Sequence, residues 1–305
     1  MARFIVFRLL QSVGLLIGIL VLVFAMVRVT GDPVSLMVAR EATNEQRERF
    51  REIYGFDRPL HEQFINFFGK LLRGDLDRSL SLGTPNAELI AQRLPPTLEL
   101  ALASLLLALT VAIPLGILSG MRSGGVFDFF ARALSLMGQS IPSYWMAMVV
   151  ILIFAVNLRL LPSFGRSGVE SLILPTITLA LAQTGQLVRL IRGSVMEVRQ
   201  ENYIRTARSK GLSSAAIMRQ HILPNVAVPL VSVIGVNFTY LMGGSVYVET
   251  VFAWPGLGSL LNNAINGSDF PLVQAITIFI ALFVISINFL TDLLYAVVDP
   301  RIRYS

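Results

Sequence analysis

Apolar positions in this chain gather into long runs instead of alternating or marking one face of a short helix. Six runs, at about 9–29, 97–119, 133–156, 172–191, 226–247 and 273–297, are long enough to cross a hydrocarbon core of about 30 Å, which takes roughly 20 helical residues. The pattern predicts an all-α polytopic membrane protein with six transmembrane helices. Pro114, Pro142 and Pro175 fall inside these runs, and membrane helices tolerate proline where neighbouring helices or water satisfy the freed backbone groups. Residues 30–95 read differently. "TNEQRERFREIYG" places Thr43 and Gln46 at capping-box spacing and ends at Gly55, a stop signal. "RPLHEQFINFFGKLLRGD" follows, with Leu60, Phe64, Phe67, Phe68 and Leu71 on one helical face. A small helical insertion is expected here, lying in the headgroup region or capping the outer ends of the spans.

Composition agrees with that picture. Of 305 residues, 54% are hydrophobic and 14% charged, against about a quarter charged in soluble domains; mean hydropathy is +0.68. The net charge of +6 is better explained by topology than by nucleic acid, because basic residues are retained on the cytoplasmic side of spans. Arg3 and Arg8 precede the first run, Arg122 and Arg132 flank the second loop, and Arg301 and Arg303 close the chain. Arg189, Arg192, Arg199, Arg205, Arg208, Lys210 and Arg219 crowd the loop between the fourth and fifth runs. On the other side, residues 248–272 hold no Lys or Arg. Residues 30–95 carry both signs in near balance, but so long a loop translocates largely regardless of charge. Both termini and the fourth–fifth loop are expected in the cytoplasm. The first run exceeds a cleavable signal core and ends in "VRVTGDP" without a small-x-small site, so it reads as a retained anchor.

The sequence offers little for catalysis. There is no cysteine, and the two histidines, His61 and His221, lie far apart in different loops, which excludes thiol chemistry and makes a metal centre improbable. No phosphate loop of the GxxxxGK[ST] kind occurs, nor HExxH, nor GxSxG. No enzyme activity, cofactor or metal is expected in this chain. Ser245 follows two glycines but has no histidine placed to activate it, and close helix packing explains it better. Ionisable residues within spans are functional by default, yet Glu99, Glu249 and Asp292 all sit near span ends, which argues against a proton relay at the midplane. Gln139, Gln183, Gln186 and Asn237 are neutral polar groups within or beside spans. With Glu249 they are the candidates for lining a translocation pathway; helix–helix hydrogen bonding is the plainer role.

Residues 193–225 hold the most ordered connecting pattern, "ENYIRTARSKGLSSAAIMRQHILPN". Tyr203 to Lys210 predicts a short helix exposing Tyr203, Arg205 and Arg208 over compact Ile204 and Ala207. Gly211 can adopt positive φ and turn the chain, Ser213 can cap a second helix, and Pro224 marks its end. Such a helix–turn–helix can dock on a partner or merely hold topology by charge.

This stretch resembles the cytoplasmic signature of the permease subunits of binding-protein-dependent ABC importers, in the dipeptide/oligopeptide/nickel branch. That signature reads Glu-Ala-Ala, three residues, Gly, nine residues, Ile, one residue, Leu-Pro; Ala207, Gly211, Leu223 and Pro224 fall on its spacing. Arg205 and Thr206 stand where the first Glu and Ala would be, and His221 replaces the Ile. The resemblance continues through "GDP", "GFDRPL", "GDLDRSL", "RLPPTLELAL", "SIPSYW", "VETVFAWPGLGSLL", "DFPLVQA" and "DPRIRYS", nearly the whole chain. It implies the type I ABC importer permease fold in the bacterial inner membrane, as a single transmembrane domain over residues 1–305. The hairpin would then be a coupling helix seated in a groove of a separate ATPase subunit. Tyr203, Arg205, Thr206, Ala207, Lys210 and Gly211 would form the contact, with Ala207 allowing close approach. Implied partners are a second permease, two ATPase subunits holding ATP and Mg, membrane lipid and an external solute-binding protein; nucleic acid is not among them. Peptides lead as substrate, with glutathione, opines or nickel chelates as alternatives. An ion-driven secondary transporter is the competing reading, but no internal repeat is found. Near the outer surface, Trp254 and Phe252 read as interface or core anchors. Pro255, Gly256 and Gly258 suit turns, with the segment around Leu260 expected to dip back among the spans.

Overall fold

The computed structural model describes residues 2–29, 34 and 43–298. The "GDP" and "DPRIRYS" stretches, with Arg301 and Arg303, lie outside the described residues. Helix is the only regular structure among those described. The chain divides into two compact units, Pro96–Pro255 with Ile287–Ser305, and Ala2–Pro95 with Gly256–Ser286.

In the second of these, α1 (Ala2–Val29) is apolar on nearly all sides. Many of its large side chains, such as Phe7, Leu10 and Leu22, face outward, as a lipid-facing helix requires. Helix α2 (Asn44–Tyr54) starts at the expected capping box: Thr43 Oγ1 accepts from the Gln46 N–H and Gln46 Oε1 from the Thr43 N–H. Gly55 ends it in the left-handed region at φ 68°. Helix α3 (Leu60–Leu72) lays Phe67, Phe68 and Leu71 against Leu20 and Val23 of α1, and Phe64 meets Phe24 edge to face at 5.1 Å. Its aromatic face thus packs on a span, while Leu60 stays exposed. A further core joins Leu89 and Ile90 to Leu257, Leu260 and Ala264 of α11 (Leu257–Asn266), and to Leu272, Ala275 and Ile276 of the last helix (Phe270–Val298). Gly258, expected in a turn, sits inside α11 and is buried. Asp269 holds this corner. Its carboxylate accepts from Ser79 Oγ at 2.5 Å, Ser81 Oγ at 2.8 Å and the N–H groups of Ser81 and Leu272. The distant "GDLDRSL" and "DFPLVQA" stretches therefore meet at one side chain.

The first unit is built on long helices. Helix α4 (Asn86–Met121) and α7 (Val169–Gln200) have 36 and 32 residues, and at about 1.5 Å per residue both exceed the thickness of a bilayer core. Among the described residues five helices are long and apolar enough to span, or six if a bent pair counts as one. That pair falls on the expected third span and bends it. Helices α5 (Val126–Ser140) and α6 (Ser143–Val150, continued by a wider-wound turn Ile151–Asn157) meet at 107°. Ile141 is extended at φ −96°, ψ 120°, as a residue before proline prefers, and Pro142 supplies no N–H to carry the helix on. By contrast, the helices run on through Pro114 and Pro175.

Candidate functional site

Helices α5 and α7 touch along backbone, and two glycines permit it. A Cβ at Gly138 would lie 2.6 Å from the Leu181 carbonyl oxygen, and one at Gly185 3.0 Å from that of Ser135. Immediately beyond this contact the chain breaks at Ile141–Pro142, and a cavity of about 760 Å³ opens. The break itself, Gly138 to Tyr144, forms one wall; Leu179, Ala182, Gln183 and Gln186 of α7 and Tyr240, Leu241 and Tyr247 form the others. Three of the five proposed pathway residues, Gln139, Gln183 and Gln186, converge here from two helices. Asn237 stands behind Gln183, whose Nε2 donates to its main-chain oxygen at 3.4 Å. Glu249 does not line the cavity. It is fully buried, and Oε1 accepts from Thr97 Oγ1 at 2.8 Å and Ser245 Oγ at 3.1 Å. Trp254 beside it is buried and donates from Nε1 to the Pro96 carbonyl, so the "VETVFAWPG" and "RLPPTLELAL" stretches brace one another. Glu99 pairs with Arg166 at 2.8 Å.

Towards the C-terminus of α7 a charged joint appears that the sequence reading missed. Asp128 is buried, and its carboxylate accepts from Arg192 Nε at 2.6 Å and Nη2 at 3.3 Å, Ser119 Oγ at 2.6 Å and the Gly124 N–H at 2.9 Å. Arg199 Nη1 donates to the carbonyls of Gly120 and Met121 at the end of α4, groups that a helix C-terminus leaves unsatisfied. Between them Gly116 and Gly120 take Ile191 and Val195 into close contact. The only local signal was a stripe of small residues four apart on α4; the partners lie some 64 to 79 positions away.

This joint leads into the basic hairpin. Helix α8 (Asn202–Ser209) is followed by Gly211 at φ 78°, the left-handed value that glycine adopts without a Cβ penalty. Ser213 Oγ then accepts from the Ala216 N–H to start α9 (Ser214–Ile217). The wound stretch Met218–Ile222 leads into α10 (Leu223–Val251). Ile204, Ala207, Ile217 and Ile222 are buried in the same apolar cluster as Ala112, Val188 and Ile191 of α4 and α7. Ala207 is buried in this cluster, with 6% of its surface exposed. Tyr203, Arg205, Thr206, Arg208, Lys210 and Gly211 remain exposed. The Tyr203 hydroxyl is pushed above its usual pKa, first by burial and then by the Glu201 carboxylate, so it stays protonated.

Comparison with known proteins decides the family. Residues 112–304 match the binding-protein-dependent transport system inner membrane component, and residues 1–101 match the N-terminal membrane component of the same systems. The chain belongs to this family. Over its whole length it is 37% identical to the oligopeptide transport system permease protein AppB of Bacillus subtilis, itself covered completely. It is 34% identical to the dipeptide transport system permease protein DppB of Escherichia coli, 99% covered, and 38% identical to the glutathione transport system permease protein GsiC of Pectobacterium atrosepticum, covered completely. Among solved structures, a chain of the inward-facing MetNI methionine ABC transporter superposes with TM-score 0.60 at 20% identity, over 70% of this chain and 97% of that one. The fold is that of a type I ABC importer permease. The chain is accordingly a multi-pass permease component of an ABC importer of the inner membrane, with peptide-type relatives.

Proposed function

We propose that this chain forms half of the translocation pathway for di- and oligopeptide-like solutes and that its hairpin transmits work from separate ATPase subunits. The observation that carries this is the two-sided construction of the hairpin. One face is buried with the spans through Ile204, Ala207, Ile217 and Ile222, and the other offers Arg205, Thr206 and Lys210 outward. A force applied to the outer face reaches α4 and α7 through packing that cannot slide freely. ATP and Mg belong to the ATPase partners, the sister permease completes the pathway, and an external binding protein delivers solute. Both termini and the hairpin lie on the cytoplasmic side, where the basic residues concentrate. Peptide-type relatives support the substrate class.

Proteoliposomes holding both permeases, the ATPases and trialanine-loaded binding protein test it. Uptake is expected to require ATP. Gly211→Val, which forces a β-branched residue to φ 78° at about 1–3 kcal/mol, should leave the complex assembled but remove uptake and substrate-stimulated ATP hydrolysis together. Uptake driven by a proton gradient without ATP would instead establish the secondary-transporter reading.

A further inference from the structure

The break at Ile141–Pro142 leaves backbone groups that no helix satisfies. Pro142 has no N–H to give the Gly138 carbonyl, while Ser143 and Tyr144 open α6, where the first N–H groups have no intrahelical acceptor. In that helix the first bond formed is from the Met146 N–H to the Pro142 carbonyl. Irregular backbone inside a membrane protein is tolerated only where it is covered by protein or lines a wet cavity, and Gly138, Pro142, Ser143 and Tyr144 line the cavity.

A second observation points the same way from the opposite wall. Gln183 is 4% exposed, and its Oε1 has no hydrogen-bond partner. Leaving such an acceptor unpaired costs about 1–3 kcal/mol, a cost that a bound donor could remove. The rest of the lining mixes apolar side chains with uncharged polar ones, two further glutamines, three tyrosines and two serines, and holds no Asp, Glu, Lys, Arg or His. An ionised group of the solute would find no counter-charge in this wall. A secondary amide would find complements for both of its groups, N–H donors for its C=O and carbonyl or carboxamide oxygens for its N–H.

We infer that this cavity is a binding site for the backbone amide of the transported solute, made by the broken helix α5–α6 and Gln183. The inference rests on the proposed role as a peptide permease. Recognition through the amide alone makes the site indifferent to the solute's side chains, whose charges it neither attracts nor rejects by pairing.

The chain lacks cysteine, so Ser140→Cys places a single thiol of this subunit in the cavity wall. Its maleimide labelling is followed by mass spectrometry in the complete reconstituted transporter. Trialanine should slow labelling, whereas trisarcosine, of equal length but without internal N–H groups, should not. Gln183→Leu should raise the trialanine concentration needed by about tenfold, and Gln139→Ala, at an exposed wall position, by about threefold. The milder Gln139 variant keeps the test open if Gln183→Leu fails to assemble. Equal protection by the two tripeptides, as an apolar or unselective cavity would give, overturns the inference. So does protection unchanged in both variants, or no protection while ATP-driven trialanine uptake persists. Absence of that uptake in the unmutated transporter would instead break the peptide-permease reading itself.

Discussion

Helices α5 and α7 run together past two buried polar groups, and the two places are built on opposite terms. At Asp128, one carboxylate is filled by a guanidinium, a hydroxyl and a backbone N–H. At Gln183, a carboxamide oxygen has no partner and the facing helix is broken. The difference follows from charge. An ionised group taken out of water must be paired continuously, since losing one partner costs several kcal/mol, whereas a neutral amide can stand unpaired for about 1–3 kcal/mol. A permanent connection can therefore be charged, and a site meant to be emptied and refilled is better neutral. The first joint lies on the approach to the basic hairpin, the second on the cavity wall.

Asp128→Ala should separate the two most sharply. It strands Arg192, Ser119 and the Gly124 N–H, and a loss of about 3–5 kcal/mol is expected. Thermal unfolding of the purified subunit complex should fall accordingly, while Gln183→Leu should change unfolding little and affect solute handling. Similar destabilisation by both would erase the distinction. Next in size is Gly138→Ala, which sets a methyl against the Leu181 oxygen. About 1–3 kcal/mol of strain is expected, read as lowered thermal stability with the charged joint intact. The smallest effect sharpens the comparison through Asp269 in the other unit, a buried carboxylate held by neutral donors alone. Burial raises its pKa, but hydrogen bonds from Ser79 and from Ser81 outweigh that and hold it below the usual carboxylate value. A depressed folded pKa contributes stability that is complete above the unfolded value of about 3.9 and is lost as pH falls through the folded one. Asp269→Asn should lower stability at neutral pH and flatten the acid limb of an unfolding curve. An unchanged acid limb would mean that Asp269 is not linked to unfolding.

Local chemistry was legible wherever the physics is local. The capping box at Thr43, the stop at Gly55, the positive φ at Gly211 and the Ser213 cap each depend on a few neighbouring residues, and each stands in the structure as its residues predict. The inward face of the hairpin was half legible. Ile204 and Ala207 were expected to stay compact, but the cluster that buries them includes Val188 and Ile191, which only the fold brings into place. Asp128 gave no signal, because its strongest partner is 64 positions away.

By itself the sequence determined the membrane class, the approximate spans, the hairpin and the family, since hydropathy, charge bias and turn chemistry are written in runs of adjacent residues. Tertiary structure decided which proline breaks a helix. Pro114, Pro142 and Pro175 each remove the same N–H, yet only at Pro142 does the chain turn by 107°. Only there do a backbone contact at Gly138 and an adjoining cavity with uncharged polar groups give the freed groups somewhere to face. Whether a missing hydrogen bond is absorbed or becomes a site depends on what packs against it, and residues far away in the chain supply that.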